Sequence, residues 1–328
     1  MKTVGLFFGG LSNEAEVSVI SAKNIAKNID KNKYKLVLIY WAKNGRFYHV
    51  KNFDEITKIS KAGIPLEKVA EKIDVAFPIT HGKYGEDGCL QGLFEIFKIK
   101  YCGCRVLSSS LCMDKAEFKN YLVSKKFPQV KFINFDSAAL ERKDVRRVIA
   151  RTKKYLKLPV YVKPANSGSS VGITKIEKWS ELQSAIRAAS KHDNKIVLEE
   201  GLNRPKEIEV AVLGNGEFII SLPGELQLVN DFYDYDDKYK KGEAGQIIPA
   251  RIPSSTSTKI RKMAAEAYKM CGCRGFARVD FFLHRGKIYL NEINTLPGFT
   301  DISMYPMLMK AMGLNYKNMI SKIIELAY

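Results

Sequence analysis

The residues best placed to do chemistry lie near the end of the chain. Asp280, Glu292 and Asn294 flank a turn near Arg285-Gly286-Lys287, and Arg278 stands two positions before Asp280. If that turn has three residues, Asp280 faces Glu292 and Arg278 faces Asn294 across a hairpin. Side chains alternate along a strand, so all four then share one face. Val279, Phe281 and Ile293 fall on the other face, as core residues would. A one-residue slip of register would undo the arrangement. Two carboxylates and an amide are hard oxygen ligands, suited to Mg²⁺ carrying phosphate oxygens. The competing reading is a solvated charged face in which Arg278 pairs with a carboxylate.

Three further patches carry polar groups at loop ends. Lys163-Pro164-Ala165-Asn166-Ser167-Gly168-Ser169-Ser170-Val171-Gly172 places a lysine at a strand end before a small-residue loop. Such a loop closes on phosphate through backbone N–H groups and hydroxyls while Lys supplies a point charge. A plain surface hairpin fits the same pattern. Gly9-Gly10-Leu11-Ser12-Asn13-Glu14 turns from strand to helix, where free N–H groups attract anions. Glu14 there either holds a substrate ammonium or complements the helix dipole. His81-Gly82-Lys83-Tyr84-Gly85-Glu86-Asp87-Gly88 ends a strand at the edge of an α/β sheet where ligands bind, although His81 also reads as a capping histidine. Asp231 to Gly242 is charged and aperiodic, a lid or a connector.

Elements that could position these groups follow from periodicity. Strands are expected at Thr3–Phe8, Tyr34–Trp41 and Ile73–Ile79, with helices from Val17 and over Leu90–Phe97. Their alternation implies a parallel sheet. A helix over Met113–Lys126 follows, then strands Pro159–Lys163, Val171–Thr174 and Lys195–Glu200. Ser180 with Gln183 fits a capping box for a helix through Ala189. Gly214-Asn215-Gly216 joins Ile208–Leu213 to Glu217–Ser221 as a hairpin. Helices Thr256–Cys271 and Tyr316–Ala327 enclose the hairpin Phe276–His284/Lys287–Asn294.

The 328 residues, 46% hydrophobic and 27% charged, exclude disordered, collagenous and disulfide-scaffold classes. No apolar run approaches the roughly 20 residues of a membrane span, and the opening turns acidic too soon for a secretory signal. The expectation is a cytoplasmic protein. Six cysteines, two pairs of them Cys-Gly-Cys, read as small buried residues rather than disulfides or a zinc site. The net charge of +18 comes from 53 Lys and Arg spread along the chain. With no dense basic block, it reads as a Lys-rich surface rather than a nucleic-acid footprint.

In their order along the chain, GGLSNEAEVS, HGKYGEDGCLQGLFE, LCMDK, VKPANSGSSVG, FYDYDDKY and RVDFF with NEINTLPGFT resemble the D-alanine–D-alanine ligase family of the ATP-grasp superfamily. The resemblance spans nearly the whole chain. It implies an α/β and α+β fold: an N-terminal parallel α/β domain (1–105), then a two-part ATP-grasp fold (106–199 and 200–328). It implies ATP-dependent joining of two D-alanines through an acyl phosphate, for peptidoglycan precursors. The implied cofactors are ATP and two Mg²⁺, or Mn²⁺. The implied assembly is a homodimer, with no nucleic-acid or membrane partner.

The family's motifs place Glu14 on the first substrate's ammonium, with Val17 and His81 in the same pocket. Lys115, Lys163 and Lys238 go to ATP phosphates, Glu199, Glu200, Leu202 and Phe232 to the nucleotide, and Glu207 to its ribose. Ser169 ties the phosphate loop to Glu14 and to Tyr239 of the lid. Arg278 and the Gly298 N–H face the oxyanion. Asp280, Glu292 and Asn294 hold the metal, and Ser303 and Met304 the second substrate's carboxylate. Tyr239 and Met304 favour D-alanine as second substrate. A D-alanine–D-serine or D-alanine–D-lactate ligase, or a non-catalytic ATP-grasp scaffold, is the alternative.

Overall fold

The computed structural model describes residues 1–59, 62–136, 142–227 and 245–328, with side chains throughout except at 142–146. The chain opens with β1 (Lys2–Gly9), α1 (Ala15–Asn28), β2 (Tyr34–Trp41), β3 (Phe47–Val50), α2 (Leu66–Ala70), β4 (Val75–Pro78) and α3 (Cys89–Ile96). The strands form one sheet in the order β3-β2-β1-β4. As expected, β2, β1 and β4 run parallel, while β3 adds an antiparallel edge. The last six residues of β1 are all buried, because a parallel strand is covered on both faces. Phe7 packs with Phe94 on one side, while Val4, Leu6 and Phe8 face the other.

α4 (Val106–Met113) and α5 (Lys115–Ser124) lead to β5 (Phe132–Asp136), α6 (Arg142–Tyr155), β6 (Val160–Pro164), β7 (Thr174–Ile176), α7 (Leu182–Ala189) and β8 (Lys195–Glu200). These strands make an antiparallel sheet, β5-β8-β6-β7. The helix expected over Met113–Lys126 is α5, and a further helix, α4, precedes it. Asp114 separates the two and caps α5, its Oδ1 accepting from the N–H of Ala116 (3.0 Å) and Glu117 (3.1 Å). The strand expected at Val171–Thr174 starts later. Ser169, Ser170 and Gly172 take positive φ, which bends the loop before pairing begins. Nor does Ser180 cap α7. Glu181 accepts from the N–H of Glu177 (3.0 Å) and Lys178 (3.2 Å) instead, closing a 3-10 turn ahead of the helix.

The last sheet is built from β9 (Lys206–Leu213), β10 (Ile219–Ile220), β11 (Gly224–Gln227), β12 (Gly245–Ile247), β13 (Phe276–His284) and β14 (Lys287–Asn294), with helices α8 (Ser254–Met270), α9 (Met304–Ala311) and α10 (Tyr316–Glu325). Its order is β12-β11-β9-β13-β14, with β10 on β9. The hairpin β13–β14 has a two-residue turn, Arg285-Gly286, both at positive φ, rather than three residues. A bulge between Asp280 and Phe281 then skips Asn291. The expected pairs Asp280–Glu292 and Arg278–Asn294 are therefore restored.

α10 returns to the first sheet. Met319, Ile320 and Ile323 share a core with Val4, Leu6 and Phe8. Phe276, Phe299 and Tyr305 stack into the same core beside Phe77 of β4. Among the described residues, no helix is long and apolar enough to cross a membrane.

Candidate active site

One cavity of about 1590 Å³ lies between the three sheets. Single-ligand pockets run to roughly 300–1,000 Å³, so several ligands fit at once. It is lined by Glu14, His81, Lys115, Lys163, Ser169, Glu199, Glu200, Leu202, Glu207, Arg278, Asp280, Glu292, Asn294, Gly298, Ser303 and Met304. Every described residue expected from sequence in the site is thus in one place except Val17. That side chain is buried, 3% exposed, and absent from the lining. Phe232, Lys238 and Tyr239 lie outside the described residues.

The floor is the cleft face of β9, β13 and β14. Arg278 forks onto Asp280, Nε to Oδ1 at 2.8 Å and an Nη to Oδ2 at 2.7 Å. Its Nε also lies 3.0 Å from Glu209. Burial alone would lower the guanidinium's pKa, but Asp280 and Glu209 hold it well above its usual value. Asn294 donates to Asp280 Oδ2 at 2.8 Å. The carboxylates and amide are together, as the hairpin reading expects; Arg278 is paired, but with Asp280 and Glu209 buried the face is not the solvated one of the competing reading.

This donor set fits a divalent cation. Asp280 and Glu292 are direct cross-strand partners on hard oxygen, and the bulge turns both Asn291 and Glu292 to the cleft. No cluster of three or more His, Cys, Asp or Glu suited to a metal occurs among the described residues. An ion here would complete its shell with phosphate and water oxygens.

The roof is the middle sheet and its loop. Lys163 donates to Glu199 Oε2 at 2.6 Å, and Lys119 lies 2.9 Å from Oε1. Burial would raise the Glu199 pKa, but the two lysines pull it down to about 2. Lys115 donates to the Ser167 carbonyl at 2.6 Å, which anchors the loop. Ser169 donates to Glu14 Oε1, joining that loop to the start of α1. Glu200 accepts from the Lys157 N–H at 2.9 Å.

The side wall belongs to the first sheet. Burial pushes the His81 pKa down to about 4, so the ring is neutral near pH 7. It bridges Ser21 Oγ (Nε2, 3.2 Å) and the Leu296 carbonyl (Nδ1, 3.0 Å). At the far end, Ser303 precedes α9, and its Oγ accepts from the Thr300 N–H at 2.9 Å.

Three residues were missed. Glu86 lines the cavity, and burial, with the Glu14 charge adding to it, pushes its carboxyl up to about 8. Glu209 pairs with Arg278, and Lys119 with Glu199. Each left a trace in sequence. Glu86 sits inside the HGKYGEDG patch, Glu209 shares a strand face with Glu207, and Lys119 follows Lys115 by one helical turn.

Residues 3–104 match the family model described as D-ala D-ala ligase N-terminus, and residues 122–325 the one described as D-ala D-ala ligase C-terminus. A curated D-alanine–D-alanine ligase of Caldicellulosiruptor bescii is 42% identical, over 99% of this chain and 94% of that protein. The solved VanG D-Ala:D-Ser ligase from Enterococcus faecalis is 36% identical, with a TM-score of 0.88, over 100% of this chain and 99% of that one. The D-alanine–D-alanine ligase from Bacillus anthracis, solved in complex with ATP, is 26% identical, with a TM-score of 0.77, over 100% and 97%. Two antiparallel sheets closing on a lysine-and-carboxylate cleft are those of an ATP-grasp ligase. Within that class, the chain belongs to the D-alanine–D-alanine ligase family.

Proposed function

We propose that the protein joins two D-alanines into D-alanyl-D-alanine at the expense of ATP, for peptidoglycan precursor synthesis. The observation that carries this is the Ser169–Glu14 hydrogen bond, made across 155 positions of sequence. It couples an ammonium-binding carboxylate to a phosphate-binding loop, so the first substrate's carboxylate and the γ-phosphoryl group meet in one cavity.

In this reading the first D-alanine gives its ammonium to Glu14, beside neutral His81. Lys115, Lys163 and Lys238 take the phosphates. Glu199, Glu200, Leu202 and Phe232 hold the nucleotide, and Glu207 the ribose. A carboxylate oxygen attacks the γ-phosphorus, ADP leaves, and an acyl phosphate forms. The second amine attacks the acyl carbon. Arg278 and the Gly298 N–H stabilise the oxyanion, and phosphate departs with the former carboxylate oxygen. Ser303 and Met304 hold the second carboxylate at the start of α9.

Asp280, Glu292 and Asn294 would hold Mg²⁺ or Mn²⁺, two ions in all, which neutralise phosphate charge. The reading extends to a cytoplasmic homodimer and to domains 1–105, 106–199 and 200–328. The gap between the two family models, after residue 104, supports the first of those boundaries.

VanG, a D-Ala:D-Ser ligase, has this fold, so acceptor choice is the point to test. Incubation with ATP, Mg²⁺ and equal D-alanine, D-serine and D-lactate, with products identified by mass, should give mainly D-alanyl-D-alanine. A mainly mixed product would overturn the acceptor assignment, and no coupled product would overturn ligation.

A further inference from the structure

α5 places Lys115 and Lys119 one turn apart on the same face. Lys115 reaches the phosphate loop. Lys119 does not line the cavity, and its side chain is only 1% exposed. Its Nζ lies 2.9 Å from one oxygen of Glu199, whose other oxygen is 2.6 Å from Lys163 Nζ. Phe132, the cross-strand partner of Glu199, puts its ring 5.7 Å from the Lys119 ammonium and helps wall it off from water. Lys163 and Glu199 both face the cavity. The trio thus runs inward from the cleft: a cation on the wall, a carboxylate behind it, and a second cation sealed in the core.

We propose that Lys119 is a positioning residue: it keeps Glu199 neutralised, so that Lys163 is free to hold a nucleotide phosphate. The proposal rests on the ATP reading above. With Lys163 as the sole partner of Glu199, a phosphate would have to pull the lysine from a buried carboxylate. That carboxylate would be left unpaired, which the interior strongly opposes. With Lys119 in place, Glu199 keeps a counter-charge whether Lys163 faces it or the phosphate. Two lysines against one carboxylate also leave one positive charge in excess, directed at the cleft. Lysine suits both tasks, as a compact charge on a flexible stem.

The test is calorimetric titration of Mg–ADP and of adenosine into native protein, Lys119→Met and the more conservative Lys119→Gln. Either variant should bind ADP about 10- to 100-fold more weakly, the size of one charged contact, with adenosine affinity unchanged. In turnover, the KM for ATP should rise while kcat holds. On a Lys163→Gln background, Lys119→Met should add no further loss, because Lys119 acts through Lys163.

Equal weakening of ADP and adenosine would show a merely structural role and overturn the proposal. So would unchanged ADP affinity in a folded variant, or fully additive losses in the double variant. If Lys119→Met fails to fold, Lys119→Gln carries the same comparison. A native protein that binds no ADP overturns this proposal together with the ATP reading. One that binds ADP but forms no dipeptide overturns the ligase reading alone.

Discussion

Glu14 and Glu86 share one wall of the cavity, and only one of them was singled out from sequence. The pattern showed which residues carry charge, but not which carboxyl would be forced to keep its proton. That depends on burial and on Glu14 coming near, with Lys115 opposing. The Glu86 carboxyl rises from 4.5 to about 8. Folding therefore retains a proton that the unfolded chain releases. The associated stability is complete below about pH 4.5 and is lost as pH rises through about 8. Glu86→Gln keeps a neutral side chain at every pH. Its melting temperature should gain on the native protein's as pH is raised from about 6 to about 9. Parallel melting curves over that range would show that Glu86 is ordinarily ionised. The metal-type residues were easier to read, because alternation alone puts Asp280 and Glu292 together once the hairpin is recognised. Lys119 was hidden because a surface lysine and a sealed one look alike in sequence.

At the scale of elements, long single-period segments were legible and short or interrupted ones were not. β2, β8, β13 and β14 occupy the expected ranges. β3, β5, β11 and β12 are edge or short strands without a clear alternation, and α6, although amphipathic, is so rich in Lys and Arg that it offers few apolar residues to mark it. α5 was legible, whereas α4 went unread because its Ser-rich, apolar run carries little helical alternation. The hairpin gives the sharper case. Its turn is one residue shorter than expected, and the bulge at Asn291 compensates, so Asp280 still faces Glu292. The phosphate loop is held just as closely. A Cβ on Gly168 would stand 2.6 Å from Glu14 Oε2. Gly168→Ala must therefore displace either Glu14 or the loop. A displacement of about 1 Å at a reacting site costs up to roughly 100-fold. The KM for the first D-alanine should rise by about tenfold or more, with the melting temperature little changed because the loop is not core. An unchanged KM would separate Glu14 from substrate binding.

Across the whole molecule, the site is made by three sheets that sequence reasoning treated one at a time. Phe276 and Phe299, with rings 5.5 Å apart, pack against Phe77 and Tyr305, so the first and last sheets share one core. His81 reaches across to the Leu296 carbonyl in the same seam. That seam fixes the ammonium site relative to Arg278, a relation that no local pattern encodes. The central claim is that this cavity carries a carboxylate through an acyl phosphate. The most direct test supplies D-alanine labelled with oxygen-18 in both carboxylate oxygens, with unlabelled ATP and water. The account predicts dipeptide together with inorganic phosphate carrying one heavy oxygen per turnover, because the attacking carboxylate oxygen leaves with the phosphorus. Dipeptide accompanied by unlabelled phosphate would contradict it.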